Sequence, residues 1–266
     1  MLILLPPSET KRPGGAGSPL ALGELRFDSL ADVRAGVLAD TVALSADHDA
    51  AVRALKLGPK QAAEVARNRE LHTAPTMPAL LRYTGVLYDA LDAESLTEEQ
   101  WRFAGEVVAV QSALFGLVGA ADRIPAYRLS FDSRLTPSLK KRWPAAGAAA
   151  LADHDGLILD LRSEGYAALA PLPDREGAHY VRVLARDESG HVRALNHFNK
   201  QAKGLLTRAL IEAGTVFSST DALLAWAEAE RYELRPAGDG GRGLELIVPE
   251  VGGSPGKLMA RLRADL

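Results

Sequence analysis

The sequence of 266 residues contains no cysteine. That absence excludes disulfides, thiol nucleophiles and Cys-ligated zinc or iron–sulfur centres. No apolar run approaches the length needed to span a bilayer, so no membrane partner is expected. The opening MLILLPPSETK breaks at Pro6-Pro7 after a short apolar run and lacks a basic leader, so it does not read as a signal peptide. The cytoplasm is the expected compartment. A GxGxxG after the first strand, a P-loop, an HExxH and a GxSxG elbow are all missing. Histidines 48, 72, 154, 179, 191 and 197 are scattered, so no metal or cofactor is assigned from spacing. His154 beside Asp153 and Asp155 reads as a polar loop rather than a cation site. No excess of one charge sign exists either: the net charge is −3, and any basic surface must be local.

What is present is ordinary for a soluble globular protein, with 47% hydrophobic and 24% charged residues. The length supports a substantial core. Leu2-Ile3-Leu4-Leu5 reads as a buried central strand, and a long polar loop from Pro6 to Pro19 follows it. Irregular loops next to a central strand are common ligand sites. Ser8 near Lys11 has the components of a Ser/Lys nucleophile pair, although the spacing is common. Residues 28–69 read as helices, and Ser95-Leu96-Thr97-Glu98 is a capping signal for a helix running into Val110. Gly156–Leu161 and Tyr180–Leu184 read as strands, the second pairing with His191–Leu195 across a hairpin turn. A helix begins at Asn196. Residues 220–229 are a further helix, and Tyr232–Leu234 and Leu244–Val248 are the last strands. This order predicts an α+β fold, a central mixed sheet flanked by helices in a single domain over 1–249, with a tail over 250–266.

The stretch SALFGLVGAADRIPAYRLSFDSRL, residues 112–135, is the most unusual. An apolar, helix-like run breaks at Gly116 and Gly119, and Arg123, Arg128 and Arg134 follow. The glycines permit a tight turn that lets a phosphate approach, although a helix C-cap with surface arginines gives the same pattern. Lys140-Lys141-Arg142 before Trp143 suits phosphate contact with base stacking, or simply a solvated helix end. No acidic residue occurs from His191 to Ile211, so Lys200, Lys203 and Arg208 form a positive stripe. Lys200 and Lys203, three apart, are expected on one helical face.

Taken together, LILLPPSETK, YTGVLYDAL, SALFGLVGAADRIPAYRL, LILDLRSEGY and NHFNKQAKGLLTRALIE resemble the YaaA-like peroxide stress proteins, in family order across the chain. The resemblance implies an α+β fold with a positively charged cleft and a helix–hairpin–helix-like element at 112–129. It also implies protection against hydrogen peroxide by limiting intracellular iron and the damage iron does to DNA. Carried over residue by residue, it marks Gly116, Tyr127 and Arg128 in that element, Ser8 and Lys11 in the first loop, Tyr83 in the YTG segment, Ser163 and Tyr166 after the middle strand, and Lys200 and Lys203. Many members carry Arg-Pro where this chain has Gly119-Ala120, which weakens the element's own charge.

The expected partner is double-stranded DNA, bound without sequence preference. Turn amides with Arg123 and Arg128 would meet phosphates, Lys200 and Lys203 would form the opposite wall, and Lys11 the floor. Such binding falls by roughly 10³ or more between low and moderate salt if about six phosphates are engaged. The alternative is an enzyme acting on a small anionic or nucleotide-like ligand, because the same polar residues sit in loops at expected strand ends. No catalytic residue is assigned. Direct iron binding is the weakest expectation.

Overall fold

The computed structural model describes residues 1–187, 189–194, 199–238 and 240–249. The turn residues Glu188 and Asp239, the Leu195–Phe198 part of the basic stretch and the expected tail 250–266 lie outside the described residues.

Strand β1 (Leu2–Leu5) comes first, followed by helices α1 (Ala31–Ala46), α2 (His48–Ala54) and α3 (Val65–Arg69). A short strand β2 (Met77–Pro78) leads into α4 (Ala79–Arg82), α5 (Val86–Leu91) and α6 (Glu98–Val107). Then come β3 (Val108–Ser112), β4 (Gly116–Gly119), β5 (Arg123–Ile124), α7 (Leu139–Ala152), β6 (Ile158–Asp160) and α8 (Glu164–Ala167). The chain continues through β7 (Ala178–Arg186), β8 (Val192–Ala194), α9 (Asn199–Ala213), α10 (Thr220–Ala229), β9 (Glu233–Pro236) and β10 (Leu244–Pro249).

The main sheet runs β4-β3-β1-β6-β7-β10-β9, with β8 paired to β7. β3, β1, β6, β7 and β10 are parallel, while β4, β8 and β9 pair antiparallel with their neighbours. The expected mixed α+β sheet is what forms. β1 sits between β3 and β6, and every residue of it is buried. Four apolar residues in a row suit a strand covered on both faces, and Pro6-Pro7, lacking backbone N–H groups, ends it. The chain passes from β1 to β3 on one side and later to β6 on the other. Open parallel sheets bind ligands in the crevice at such a reversal, outside the carboxyl ends of the strands.

α6 starts as its sequence requires. Thr97 Oγ1 accepts from Gln100 N at 3.3 Å and Gln100 Oε1 accepts from Thr97 N at 2.9 Å, a reciprocal capping box. The helix ends earlier than expected, at Val107, because Val108, Ala109 and Val110 enter the sheet against Ile3, Leu4 and Leu5.

The helix–hairpin–helix expectation fails in this segment. Residues 108–112 and 116–119 are two antiparallel strands joined at Ala113-Leu114-Phe115, with Ser112 opposite Gly116 and Ala109 opposite Gly119. Leu114, Phe115, Leu117 and Val118 are fully buried, and a run apolar on both faces has no period to separate strand from helix. Gly116 adopts φ +66°, and a Cβ there would stand 2.7 Å from the Trp143 ring. Its role is to let the hairpin turn beneath that indole, so its amide is not offered to phosphate. Trp143 is itself buried, with Nε1 donating to Ala113 O at 3.0 Å, so it is not a base-stacking platform.

Candidate functional site

The loop after β1, the end of β3 and the end of β6 share the carboxyl edge of the parallel strands. Lys11 is only 6% exposed. Its Nζ donates to Ser8 O at 3.0 Å and Glu9 O at 3.3 Å, and it sits 4.1 Å from the centre of the Tyr127 ring and 5.5 Å from that of Tyr83. Burial, with the Arg128 charge next, lowers its pKa to about 7, against the opposing pull of Glu64 and Glu9. The Ser/Lys pairing does not form: Lys11 bonds the Ser8 carbonyl, and Ser8 Oγ lies 3.2 Å from Thr10 Oγ1.

Beneath Lys11 lies a line of hydroxyls. Tyr83 Oη is 2.9 Å from Tyr127 Oη, which is 2.8 Å from Ser112 Oγ at the end of β3. Tyr83 and Tyr127 are buried, and desolvation raises both phenols above their ordinary pKa. Tyr88, on α5, packs its ring at a tilt against Tyr83 with 5.3 Å between ring centres and donates to Pro6 O at 2.8 Å, which ties α5 to the end of β1. Arg128 is 6% exposed and pairs with Glu9 at 3.1 Å and more distantly with Glu64 at 3.8 Å. The Asn68 amide holds both the N–H and the C=O of Arg128 at 2.8 Å, as a neighbouring strand would.

The end of β6 carries a second buried cluster. Asp160 and Arg162 are both fully buried and form a bidentate pair, Nε to Oδ1 at 2.8 Å and Nη2 to Oδ2 at 2.6 Å. Two more guanidinium protons reach Gln111 Oε1 at 3.0 Å and Ala170 O at 2.8 Å. Lys203, 5% exposed, donates to Arg162 O at 3.3 Å. Burial lowers its pKa to about 8, partly offset by Asp160. α9 reaches this edge because Gly204 packs on the Leu87 carbonyl of α5, where a Cβ would overlap it.

The remaining expected residues divide. Tyr166 lies edge-on to Phe131 at 5.2 Å, and Ser163 is the exposed residue preceding α8. Lys200 is exposed while Lys203, one turn on, is buried, so the two lysines do not form one wall. Arg123 is exposed on β5, and its guanidinium lies over Gly17 and bonds Thr76 O at 3.4 Å; none of the cluster residues is its partner. Gly116 is in the hairpin core. The open cationic trough expected from the 116–119 turn, Arg123, Arg128, Lys200, Lys203 and Lys11 does not form in that way among the described residues: Lys11, Arg128 and Lys203 are buried and hold carbonyls and carboxylates, while Arg123 and Lys200 are exposed.

Ser112, Tyr88, Asp160 and Arg162 did not stand out in the sequence. For Asp160 a signal existed, a charge closing an otherwise apolar buried strand. A cavity of about 80 Å³ borders the cluster, lined by Arg12, Tyr83, Thr84, Tyr88, Asp89 and Glu94 among others. A larger concavity, about 520 Å³, lies elsewhere, beside α10 and β9. Among the described residues no group of three or more His, Asp or Glu is placed to hold a metal ion, and no helix is long and apolar enough to cross a membrane.

Residues 1–237 match the family described as peroxide stress protein YaaA. A UPF0246 protein of Corynebacterium efficiens is 49% identical over 216 residues, covering 79% of this chain and 84% of the relative. One from Corynebacterium glutamicum is 46% identical over the same shares. A UPF0246 protein of Streptomyces coelicolor is 41% identical over 261 residues, 94% of this chain and all of the relative. With the family match spanning β1 to β9 and all the strand-end residues above, the chain belongs to the YaaA peroxide stress protein family.

Proposed function

We propose that this protein acts in the peroxide response through a compact site at the carboxyl edge of β1, β3 and β6, and that this site takes a small, anionic, nucleotide-like ligand. The observation that carries the reading is the burial of Lys11, Lys203 and Arg128, at 6%, 5% and 6% exposure, around one sheet edge. Cations that neutralise a duplex must reach phosphates spread along its surface, whereas sequestered cations suit one small anion brought to them. In this reading Ser8, Ser163 and Tyr166 are assigned as further polar contacts of the ligand.

Titration of the protein with nucleoside mono- and triphosphates tests this. Binding weakened about tenfold or more in Lys203→Met, as expected for a lost charge-assisted contact, supports it. Absence of binding by every nucleotide overturns it.

Duplex DNA is the second reading, and a different observation favours it. Lys140 and Lys141 are exposed in the first turn of α7 and take part in no ion pair among the described residues, and Lys200 and Arg123 are also exposed. If they meet the DNA backbone, Lys140→Ala/Lys141→Ala lowers the salt slope of duplex binding by roughly 1.8, about 0.9 per phosphate. An unchanged slope removes these lysines from any DNA contact. In either reading the limitation of iron-dependent damage is an indirect consequence. A peroxide-sensitive deletion strain rescued equally well by Lys203→Met and wild type would detach the strand-end site from protection.

A further inference from the structure

The direction of the hydrogen bonds between Ser112, Tyr127 and Tyr83 follows from counting lone pairs and protons. Ser112 Oγ accepts from Leu114 N at 3.1 Å and from Phe115 N at 3.0 Å. A hydroxyl oxygen has two lone pairs and one proton. Both lone pairs are taken by main-chain amides, so the proton of Ser112 must go to Tyr127 Oη at 2.8 Å. Tyr127 then donates to Tyr83 Oη at 2.9 Å. Tyr83 is the end of the line, and its own proton has no acceptor among the described residues. The chain is polarised from the β3–β4 turn outward, and each member strengthens the next as a donor.

An unanswered donor on a tyrosine 2% exposed is unusual, because buried polar groups are nearly always satisfied. Lys11 stands over the same two rings and shares this condition. A protonated amine has three donors; two of Lys11's go to Ser8 O and Glu9 O, and the third has no oxygen acceptor among the described residues.

We propose that the Tyr83 hydroxyl and the Lys11 ammonium together hold one oxygen of a small oxyanion, a carboxylate or a phosphoryl group, with the Ser112–Tyr127 chain as the positioning device that aims the Tyr83 proton. The inference rests on the small-anion reading above and names the atoms that meet the anionic end. Tyr83 then resembles an oxyanion-hole donor: fixed in direction beforehand, and strongest in a site from which water is excluded.

Charge on Lys11 is required, and the groups bearing on it are Arg128 and Arg67 on one side, Glu64 and Glu9 on the other, and the two tyrosine rings. With its pKa at about 7, binding is complete below neutrality and weakens as pH rises further, approaching tenfold per unit. Sulfate, doubly charged throughout this range, is the probe for a phosphoryl group, and formate the probe for a carboxylate.

The test is titration of the full chain with each anion, for wild type, Tyr83→Phe, Lys11→Met and Lys203→Met. The expected result is binding of at least one anion, weakened about tenfold by Tyr83→Phe, the effect of one hydrogen bond to a charged acceptor. Lys11→Met should abolish both the binding and its pH dependence. A red-shifted tyrosine difference spectrum on anion addition to wild type reports the new O–H to oxyanion bond without relying on any variant. Equal binding by wild type and Tyr83→Phe, or no spectral shift on binding, overturns the inference. If binding is then lost in Lys203→Met, the small-anion site survives without Tyr83. If neither anion binds wild type, the Tyr83–Lys11 site is overturned, and nucleotide titration separately decides the broader reading.

Discussion

Two lysines are buried at one edge of the sheet, and their surroundings differ in kind. Lys203 leans on an ionic cluster in which Asp160 and Arg162 are fully buried and the guanidinium bonds Asp160, Gln111 and Ala170. Lys11 leans on tyrosine faces and backbone carbonyls, with arginines near enough to depress its pKa further. In the first region charge meets charge: Asp160 holds Arg162 in a buried bidentate pair, and Lys203 donates to the Arg162 carbonyl. In the second no carboxylate bonds Lys11 among the described residues, and the Tyr83 proton has no acceptor among them. Completed networks rigidify a fold, whereas an open donor in a dry place is what a ligand completes.

The contrast is most severely tested at Arg162. Arg162→Met leaves the Asp160 carboxylate buried and unpaired, and a loss of about 3–5 kcal/mol in urea unfolding is expected. A loss below about 1 kcal/mol would mean that the β6 cluster is not the rigid half of the edge.

Next in size is the pH dependence of stability. Both lysines have folded pKa values below the unfolded one, so the unfolded chain holds more protons, and stability rises with pH from the folded pKa towards the unfolded pKa of 10.5. Lys11 contributes a slope approaching about 1.4 kcal/mol per unit from pH near 7, and Lys203 a second from near 8. Lys11→Met should remove the slope that begins at 7, and Lys203→Met only the part above 8. Identical profiles for the two variants would erase the distinction drawn between them.

Gly204→Ala probes how α9 is held at this edge. Its Cβ would meet the Leu87 carbonyl of α5, which is backbone and cannot swing aside, so about 1–3 kcal/mol of destabilisation is expected. The smallest effect is Lys200→Ala. An exposed lysine with no packing role should change stability by less than about 0.5 kcal/mol, and a larger loss would place Lys200 with Lys203 after all.

Much of the sheet was legible before any coordinates. Leu2–Leu5 and Gly156–Leu161 are apolar runs bounded by turn residues, and Ser95-Leu96-Thr97-Glu98 marks the start of α6, although the box that closes there is Thr97 with Gln100, which the sequence did not single out. The hairpin at 108–119 was not. Its strands are covered on both faces, so the alternation that distinguishes strand from helix is erased, and Gly116 looks the same whether it bends around a ligand or around Trp143. The candidate site was half legible. Lys11, Tyr83, Tyr127 and Arg128 lie together, with Lys203 against the separate Asp160–Arg162 pair, but the sequence read their charges as surface. Nothing local says that Lys203 turns inward while Lys200 stays out.

The sequence by itself determined β1, β6 and β7, the start of α6 and the family, because each follows from short-range patterning or from matched segments in order. Only the tertiary structure decided which cations are buried and which hydroxyls line up. Ser112, Tyr127, Tyr83 and Lys11 come from four separate stretches of chain, and the direction of a hydrogen bond depends on who else is within reach. That information exists only once β1 has been laid between β3 and β6.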